Sequence, residues 1–160
     1  MSDNRVSLDR RVGASAHAVF DVITDPRRHV DIDGSGMLVA TDAQRVGAVG
    51  DSFIMDMDRE PLGDLPMGKY KVRNTVTRFV PNAVFEWNVG GVDQPPFGHV
   101  YGYELSAVDE NHTDVTLYCD WTGVRAGSIR DRFPIVPVHM LEKSLDNLER
   151  LATAGERLDP

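Results

Sequence analysis

An apolar stripe near the end of the chain predicts a long helix. Its members recur at spacings of three and four residues, at Leu141, Leu145, Leu148 and Ala152. That spacing places side chains on one face of an α-helix. Pro137 suits the first helical position and Gly155 suits a left-handed stop, so the helix is predicted over residues 137–154. Because only one side of this helix is apolar, it has to pack against another element.

Alternation of apolar and polar residues predicts that most of the preceding chain forms strands. The predicted strands cover residues 6–12, 37–44, 52–58, 69–80, 83–89, 99–108 and 114–122. Ser15 is a plausible N-cap for a short helix over 16–24, and Pro26 begins one further turn over 26–30. The resulting order is one strand, two short helices, about six strands and the long helix. It predicts an α+β fold in which a curved antiparallel sheet packs on the long helix, with a hollow between them.

Length and charge limit the classes of function. A chain of 160 residues predicts one domain, residues 1–160. A formal net charge of −8 argues against nucleic acid or an anionic membrane as the main partner. No apolar run is long enough to span a bilayer, and the first residues lack the apolar segment of a signal peptide. The lone Cys119 excludes an internal disulfide and fits a reducing compartment, so a cytoplasmic protein is expected. As to its oligomeric state, a monomer or a homodimer is expected.

Polar and aromatic residues on the predicted inner faces indicate a ligand pocket. Tyr101 and Tyr103 share one side of a strand, with Trp87 on the neighbouring hairpin and Asn74 on the strand before it. Aromatic walls with a few hydroxyl and amide groups suit an apolar, partly oxygenated ligand. The predicted ligand-binding residues are Met55, Met57, Asn74, Trp87, Tyr101, Tyr103, Trp121, Met140, Leu141, Leu145 and Leu148. The alternative is that these side chains are ordinary core.

The same pocket offers a small set of groups for proton transfer, namely Tyr101, Tyr103, His99 and Arg10. His99 and Arg10 are the inward-facing groups that could act as general acid, general base or oxyanion partner. Cys119 alternates with apolar residues on the core face and is predicted to be inert. The segments 59–68 and 90–98, rich in proline and glycine, are predicted to be loops that border the mouth of the pocket.

The segment from Asp31 to Asp42 matches the spacing of a calcium-binding EF-hand loop. An EF-hand needs an amphipathic helix on each side, and neither flank supplies one. A turn that leads into the second strand is therefore the preferred interpretation. No two histidines have the spacing of metal ligands, so neither a metal nor a cofactor is predicted.

Several short strings resemble the START-like (SRPBCC) superfamily, and within it the polyketide cyclase/dehydrase-like and lipid-transport-like proteins. They are residues 12–20 (VGASAHAVF), 24–26 (TDP), 29–36 (HVDIDGSG), 74–81 (NTVTRFVP), 103–105 (YEL), 120–121 (DW) and 132–134 (RFP). The resemblance implies a helix-grip fold, in which a bent sheet wraps the C-terminal helix around a deep cavity.

Proteins of this superfamily differ widely in activity, so the resemblance alone does not settle a function. The leading hypothesis is that the cavity binds a hydrophobic small molecule such as a lipid, sterol or polyketide-like compound. A polyketide cyclase/dehydratase-type enzyme that uses the same cavity is the second hypothesis. The third is a protein-interaction module such as a toxin–antitoxin partner.

Overall fold

The structure is a computed structural model that describes residues 4–63, 66–125 and 130–158. The strands are β1 (Arg5–Val12), β2 (Leu38–Ala40), β3 (Ser52–Asp58), β4 (Lys69–Val80), β5 (Val84–Gly91), β6 (Pro96–Asp109) and β7 (His112–Asp120). The helices are α1 (Ala16–Ile23), α2 (Pro26–Ile32) and α3 (Val138–Leu158), and a short 3-10 turn covers Glu60–Leu62. This order confirms the predicted α+β succession.

The strands form one antiparallel sheet of seven, in the order β1-β7-β6-β5-β4-β3-β2. Strands β2 to β7 therefore follow one another as a meander, and β1 pairs with the far edge of β7. Cross-strand pairing places Trp87, Tyr101 and Cys119 in one row across β5, β6 and β7. The curved sheet and the long C-terminal helix confirm the predicted helix-grip fold.

Helix α3 packs its apolar stripe onto the inner side of the fold, against α1, α2 and β1. Leu145 and Leu148 are almost fully buried there. The helix begins one residue after Pro137 and continues to Leu158, so the predicted stop at Gly155 is wrong. A glycine inside a helix costs only about 1 kcal/mol relative to alanine, which the continuing helix can absorb.

Helix α1 begins at its predicted N-cap, and α2 begins at Pro26, as predicted. The Ser15 hydroxyl accepts a hydrogen bond from the backbone N–H of Ala18 at 3.1 Å and caps α1. The Asp25 carboxylate accepts one from the N–H of Arg27 at 3.1 Å and caps α2, whose first residue is Pro26. Helix α2 runs to Ile32, two residues beyond the predicted turn.

Two predicted segments have a different structure. The second strand was predicted over 37–44 but covers only Leu38–Ala40, since its pairing with β3 is irregular and Thr41 instead donates its hydroxyl proton to the Ile54 carbonyl at 2.6 Å. The predicted loop 90–98 is mostly strand, because β5 extends to Gly91 and β6 begins at Pro96. A bulge in β4 beside Thr77 also shifts the inward positions from Val76 to Phe79.

Candidate functional site

A cavity of about 610 Å³ lies between the inner face of the sheet, helix α2 and the start of α3. Strands β3 to β6 supply nearly half of its lining residues, and the segment just before α3 contributes Phe133 and Val136. Met67 and Phe97 line it and are about half exposed, at 49% and 47%, so the cavity reaches solvent beside these two side chains. Its volume falls within the usual range of small-molecule sites, about 300–1,000 Å³.

Most of the residues predicted to bind a ligand line this cavity. They are Met55, Met57, Asn74, Trp87, Tyr101, Tyr103 and Leu141. The wall is largely aromatic: Trp87 stacks on Tyr101 with ring centroids 6.2 Å apart and lies 6.1 Å from the ring of Tyr103. The alternation of β5 and β6 thus brings together a flat apolar surface with phenol hydroxyls beside it.

Four predicted ligand-binding residues are not among the residues that line the cavity. Leu145 and Leu148 lie further along α3, in the core that this helix makes with the rest of the fold. Trp121 is buried behind the wall, where its ring stacks on Phe133 at 5.7 Å. Met140 belongs to the first turn of α3, whose backbone lies against Gly34.

Three of the four candidates for proton transfer line the cavity, namely His99, Tyr101 and Tyr103. Arg10 does not. It shares the inner-face row of Leu105 and Val115, but its guanidinium reaches the carboxylates of Asp146 and Glu149 on α3. Within the described residues, Arg10 therefore ties β1 to the helix at a distance from the cavity.

His99 is held among aromatic rings. It stacks on Phe97, meets Tyr101 edge-on with centroids 5.6 Å apart, and lies 4.8 Å from the ring of Phe133. Burial in this apolar cage lowers the pKa of His99 to about 4, because the charged imidazolium would lose its hydration. His99 is consequently neutral at pH 7 and has one donor and one acceptor nitrogen.

Two buried polar atoms of the cavity have no hydrogen-bond partner within the described parts of the chain. They are Oδ1 of Asn74 and Nδ1 of His99. Both residues are about 95% buried, with 5% and 4% of their surface exposed. Buried polar atoms are almost always paired in folded proteins, so two unpaired atoms in one cavity are a sign of a missing ligand or solvent partner.

Tyr101 and Tyr103 are protonated at ordinary pH. Burial raises the pKa of Tyr101 well above its usual value, and burial likewise raises the pKa of Tyr103. Tyr101 lies directly across the β6–β7 pair from Cys119. Burial raises the pKa of the Cys119 thiol to about 12, so Cys119 stays a neutral thiol, as the sequence predicts.

His29 lines the cavity and was missed as a ligand contact at the sequence level. It donates its Nε2 proton to the carbonyl of Ile23 at 2.6 Å, and its ring lies 4.9 Å from that of Trp87. Burial lowers the pKa of His29, so it too is neutral. Phe97 and Phe133 were also missed, since Phe97 sits in a predicted loop and Phe133 in an irregular segment without alternation.

The segment that resembles a calcium loop forms one end of the cavity. Asp33 accepts hydrogen bonds from the N–H and hydroxyl of Ser35 through Oδ1 and from the N–H of Leu38 through Oδ2. These hydrogen bonds stabilise the turn that leads into β2, and a turn is the interpretation that the sequence favours. Across the described part of the chain, no three His, Cys, Asp or Glu side chains come together as metal ligands would.

The two segments predicted to border the mouth both contribute to the wall. Arg59 and Met67 come from the first, and Gly91 and Phe97 from the second. Of the helices in the described residues, none has the length and apolar character to cross a membrane.

Comparison of the sequence with known proteins finds an uncharacterised relative. No family model matches the chain. The uncharacterised protein Rv0088 of Mycobacterium tuberculosis is 33% identical over 130 residues, which is 79% of this chain and 51% of that protein. The chain thus spans about half the length of the curated relatives it matches.

Solved structures resemble the chain over nearly its whole length. Protein NE0264 of Nitrosomonas europaea superposes with a TM-score of 0.70 at 14% identity, covering 98% of this chain and 99% of that one. The ZhuI aromatase/cyclase of a Streptomyces species gives 0.65 at 14% identity over 93% of each chain. A norcoclaurine synthase of Thalictrum flavum gives 0.62 at 14% identity over 95% of each.

The fold and the cavity together define a class. The chain has the helix-grip fold of the START-like kind. At this level of identity the likeness shows the fold alone, and the polyketide cyclase/dehydrase-like or lipid-transport-like type stays a prediction.

Proposed function

We propose that this protein binds a hydrophobic small molecule of lipid, sterol or polyketide-like character in its cavity, without a cofactor. The observation that carries the proposal is a cavity of about 610 Å³ whose wall holds two unpaired buried polar atoms, Asn74 Oδ1 and His99 Nδ1. A protein that only needed a stable core would fill this space or pair these atoms.

The composition of the wall supports an apolar ligand of variable shape. Met55, Met57 and Met67 bring flexible thioether side chains, which adapt to different surfaces. Trp87, Tyr101 and Tyr103 bring flat rings that stack on planar or ring-containing compounds. The ligand therefore gains most of its affinity from buried apolar area and its orientation from a few polar contacts.

A cyclase/dehydratase-type enzyme is the second candidate function, and one observation favours it. His99 meets the ring of Tyr101 edge-on, with centroids 5.6 Å apart, on the cavity wall. A neutral imidazole can accept a proton and a phenol can donate one, which is the pairing that an aldol closure and dehydration require. Two solved structures with this fold are a named aromatase/cyclase and a norcoclaurine synthase.

The third class, a protein-interaction module, has less support. Such a module is expected to have a filled interior and an exposed apolar patch. Here the interior holds a cavity, and several of the large exposed apolar residues are valines in different parts of the chain, among them Val49, Val80 and Val108.

The proposal is tested by native mass spectrometry and a cavity-filling variant. A copurifying compound that leaves on denaturation identifies the ligand class.

Val89 lines the cavity, so Val89→Trp is expected to lower the affinity for the neutral fluorescent probe N-phenyl-naphthylamine at least tenfold. Val108 is exposed near the C-terminal end of β6 and does not line the cavity. Val108→Trp is therefore the matched control and is expected to keep wild-type affinity. Equal binding by both variants would contradict the proposal.

Enzyme and carrier are separated with the copurified compound. Tyr101→Phe removes only a hydroxyl from the wall. An enzyme loses turnover of the compound and keeps its affinity, whereas a carrier shows a change in affinity alone.

A further inference from the structure

Asn74 and His99 lie on opposite sides of one strand. Asn74 of β4 pairs with Val89 of β5, and the irregular pairing of β5 with β6 brings the segment from Phe97 to His99 across from the same part of β5. Neighbouring strands are about 4.8 Å apart, so the backbones at the two polar residues stand roughly 10 Å apart. The apolar side chain of Val89 lies on the cavity wall between them.

Both polar side chains line the same cavity, and one polar atom of each has no hydrogen-bond partner in the described chain. Each is more than nine-tenths buried, and each presents an unpaired atom. An unpaired buried polar atom destabilises the free protein, because its hydration has been lost without a replacement hydrogen bond. A ligand that supplies the missing bonds recovers this free energy on binding.

We infer that Asn74 and His99 form a two-point recognition site for an uncharged, ring-containing ligand that carries a hydroxyl group at one end and a hydroxyl or carbonyl group at the other. The inference rests on the proposed function. The Oδ1 atom of Asn74 accepts a hydrogen bond, so the group beside it has to be a donor. The neutral ring of His99 can donate or accept, so either a hydroxyl or a carbonyl group satisfies it.

The charges of the wall favour a neutral ligand over a carboxylate. Arg59 is a buried cation that lines the cavity, and the Asp33 carboxylate lines it as well. Lys71 and Arg132 also border the cavity, but both are exposed, and the ammonium group of Lys71 binds Asp56 at 2.6 Å. Since the wall holds carboxylate and cation together and His99 is uncharged, a buried carboxylate would lose its hydration with little gain.

The experiment uses rigid probes of one shape that differ only in their polar ends. These are biphenyl, para-hydroxybiphenyl, para,para′-dihydroxybiphenyl and biphenyl para-carboxylate, and their affinities are measured by titration calorimetry. Each hydroxyl is expected to strengthen binding about fivefold. The carboxylate is expected to bind more weakly than biphenyl itself. A carboxylate that binds more tightly than the diol would overturn the inference in favour of recognition by Arg59.

Substitutions identify which residue forms a hydrogen bond with each hydroxyl group of the probe. Asn74→Leu is expected to bind the diol about fivefold more weakly, to bind biphenyl no more weakly than the wild type, and to raise the melting temperature of the free protein. His99→Phe is expected to remove the advantage of the second hydroxyl. Asn88 is the matched control, since its Oδ1 already accepts the backbone N–H of Thr75 at 3.2 Å. Asn88→Leu is expected to lower stability and leave all four affinities unchanged.

The binding data distinguish a failure of the two-point site from a failure of the proposed ligand-binding function. If biphenyl binds but the hydroxyls add nothing, or if the variants keep the full advantage of the diol, the two-point site is wrong and the ligand-binding cavity stands. If none of the four probes nor N-phenyl-naphthylamine binds to the wild type, the proposed function itself fails and the inference fails with it.

Discussion

The backbone N–H of Gly34 donates a hydrogen bond of 2.9 Å to the hydroxyl oxygen of Ser144, in the second turn of helix α3. A side chain at Gly34 has no room, because its Cβ would lie 2.2 Å from the carbonyl oxygen of Met140. The contact joins the turn before β2 to the helix. Asp33, Ser35 and Ser144 all line the cavity, so this contact closes one of its ends.

Gly34→Ala is expected to lower the free energy of unfolding by about 1–3 kcal/mol, since the added methyl group forces the turn away from α3. Urea denaturation at neutral pH measures the change. Gly47→Ala is the matched control, because its Cβ would meet no atom within 4 Å. If the two alanine variants were equally stable, the close contact between Gly34 and the helix would be wrong.

Acid is expected to destabilise the protein through its neutral histidines. The pKa of His99 falls from 6.5 to about 4 on folding, so between these values the unfolded chain binds a proton that the folded one excludes. Stability is therefore complete above pH 6.5 and is lost as the pH falls, at up to about 1.4 kcal/mol for each pH unit. His29, whose pKa is also lowered by burial, acts in the same direction.

The measurement is the free energy of unfolding of the wild type and of His99→Phe between pH 7 and pH 4.5. The variant lacks one titrating group, so its stability is expected to fall less steeply with acid. Parallel slopes for the two proteins would show that folding does not lower the pKa of His99.

Trp87 is expected to report ligand binding, whereas Trp121 is not. Trp87 lines the cavity, and Trp121 lies behind the wall against Phe133. On addition of N-phenyl-naphthylamine, the tryptophan emission of Trp121→Phe is expected to be quenched more completely than that of the wild type. Trp87→Phe is expected to show the smaller quenching. The reverse order would place the bound probe outside the cavity.

Arg10→Gln is expected to have little effect on binding. Its guanidinium pairs with Asp146 and Glu149 of α3 in a partly exposed site, and such pairs contribute at most about 1 kcal/mol to stability. The free energy of unfolding should fall by no more than this amount, with unchanged affinity for N-phenyl-naphthylamine. A loss of affinity with intact stability would instead place Arg10 among the ligand contacts.

The alternation of residues carried most of the information that the sequence held about the site. Along β6 it places His99, Tyr101 and Tyr103 on one face, and the structure brings all three to the cavity. A period of two identifies the face of a strand because neighbouring side chains point to opposite sides. His29, Asp33 and Phe133 lie on a short helix, a turn and an irregular segment, where no such period exists, and they were missed.

The sequence by itself determined the order of elements, the antiparallel meander and the inward faces of its strands, since local periodicity reports which side of an element is buried. It could not distinguish a residue that lines the cavity from one that fills the core. Leu141 and Leu145 belong to the same stripe, one turn apart, yet only Leu141 is on the cavity wall. Tertiary structure decided this, because the curvature of the sheet sets how far the opposite wall lies from each turn of the helix.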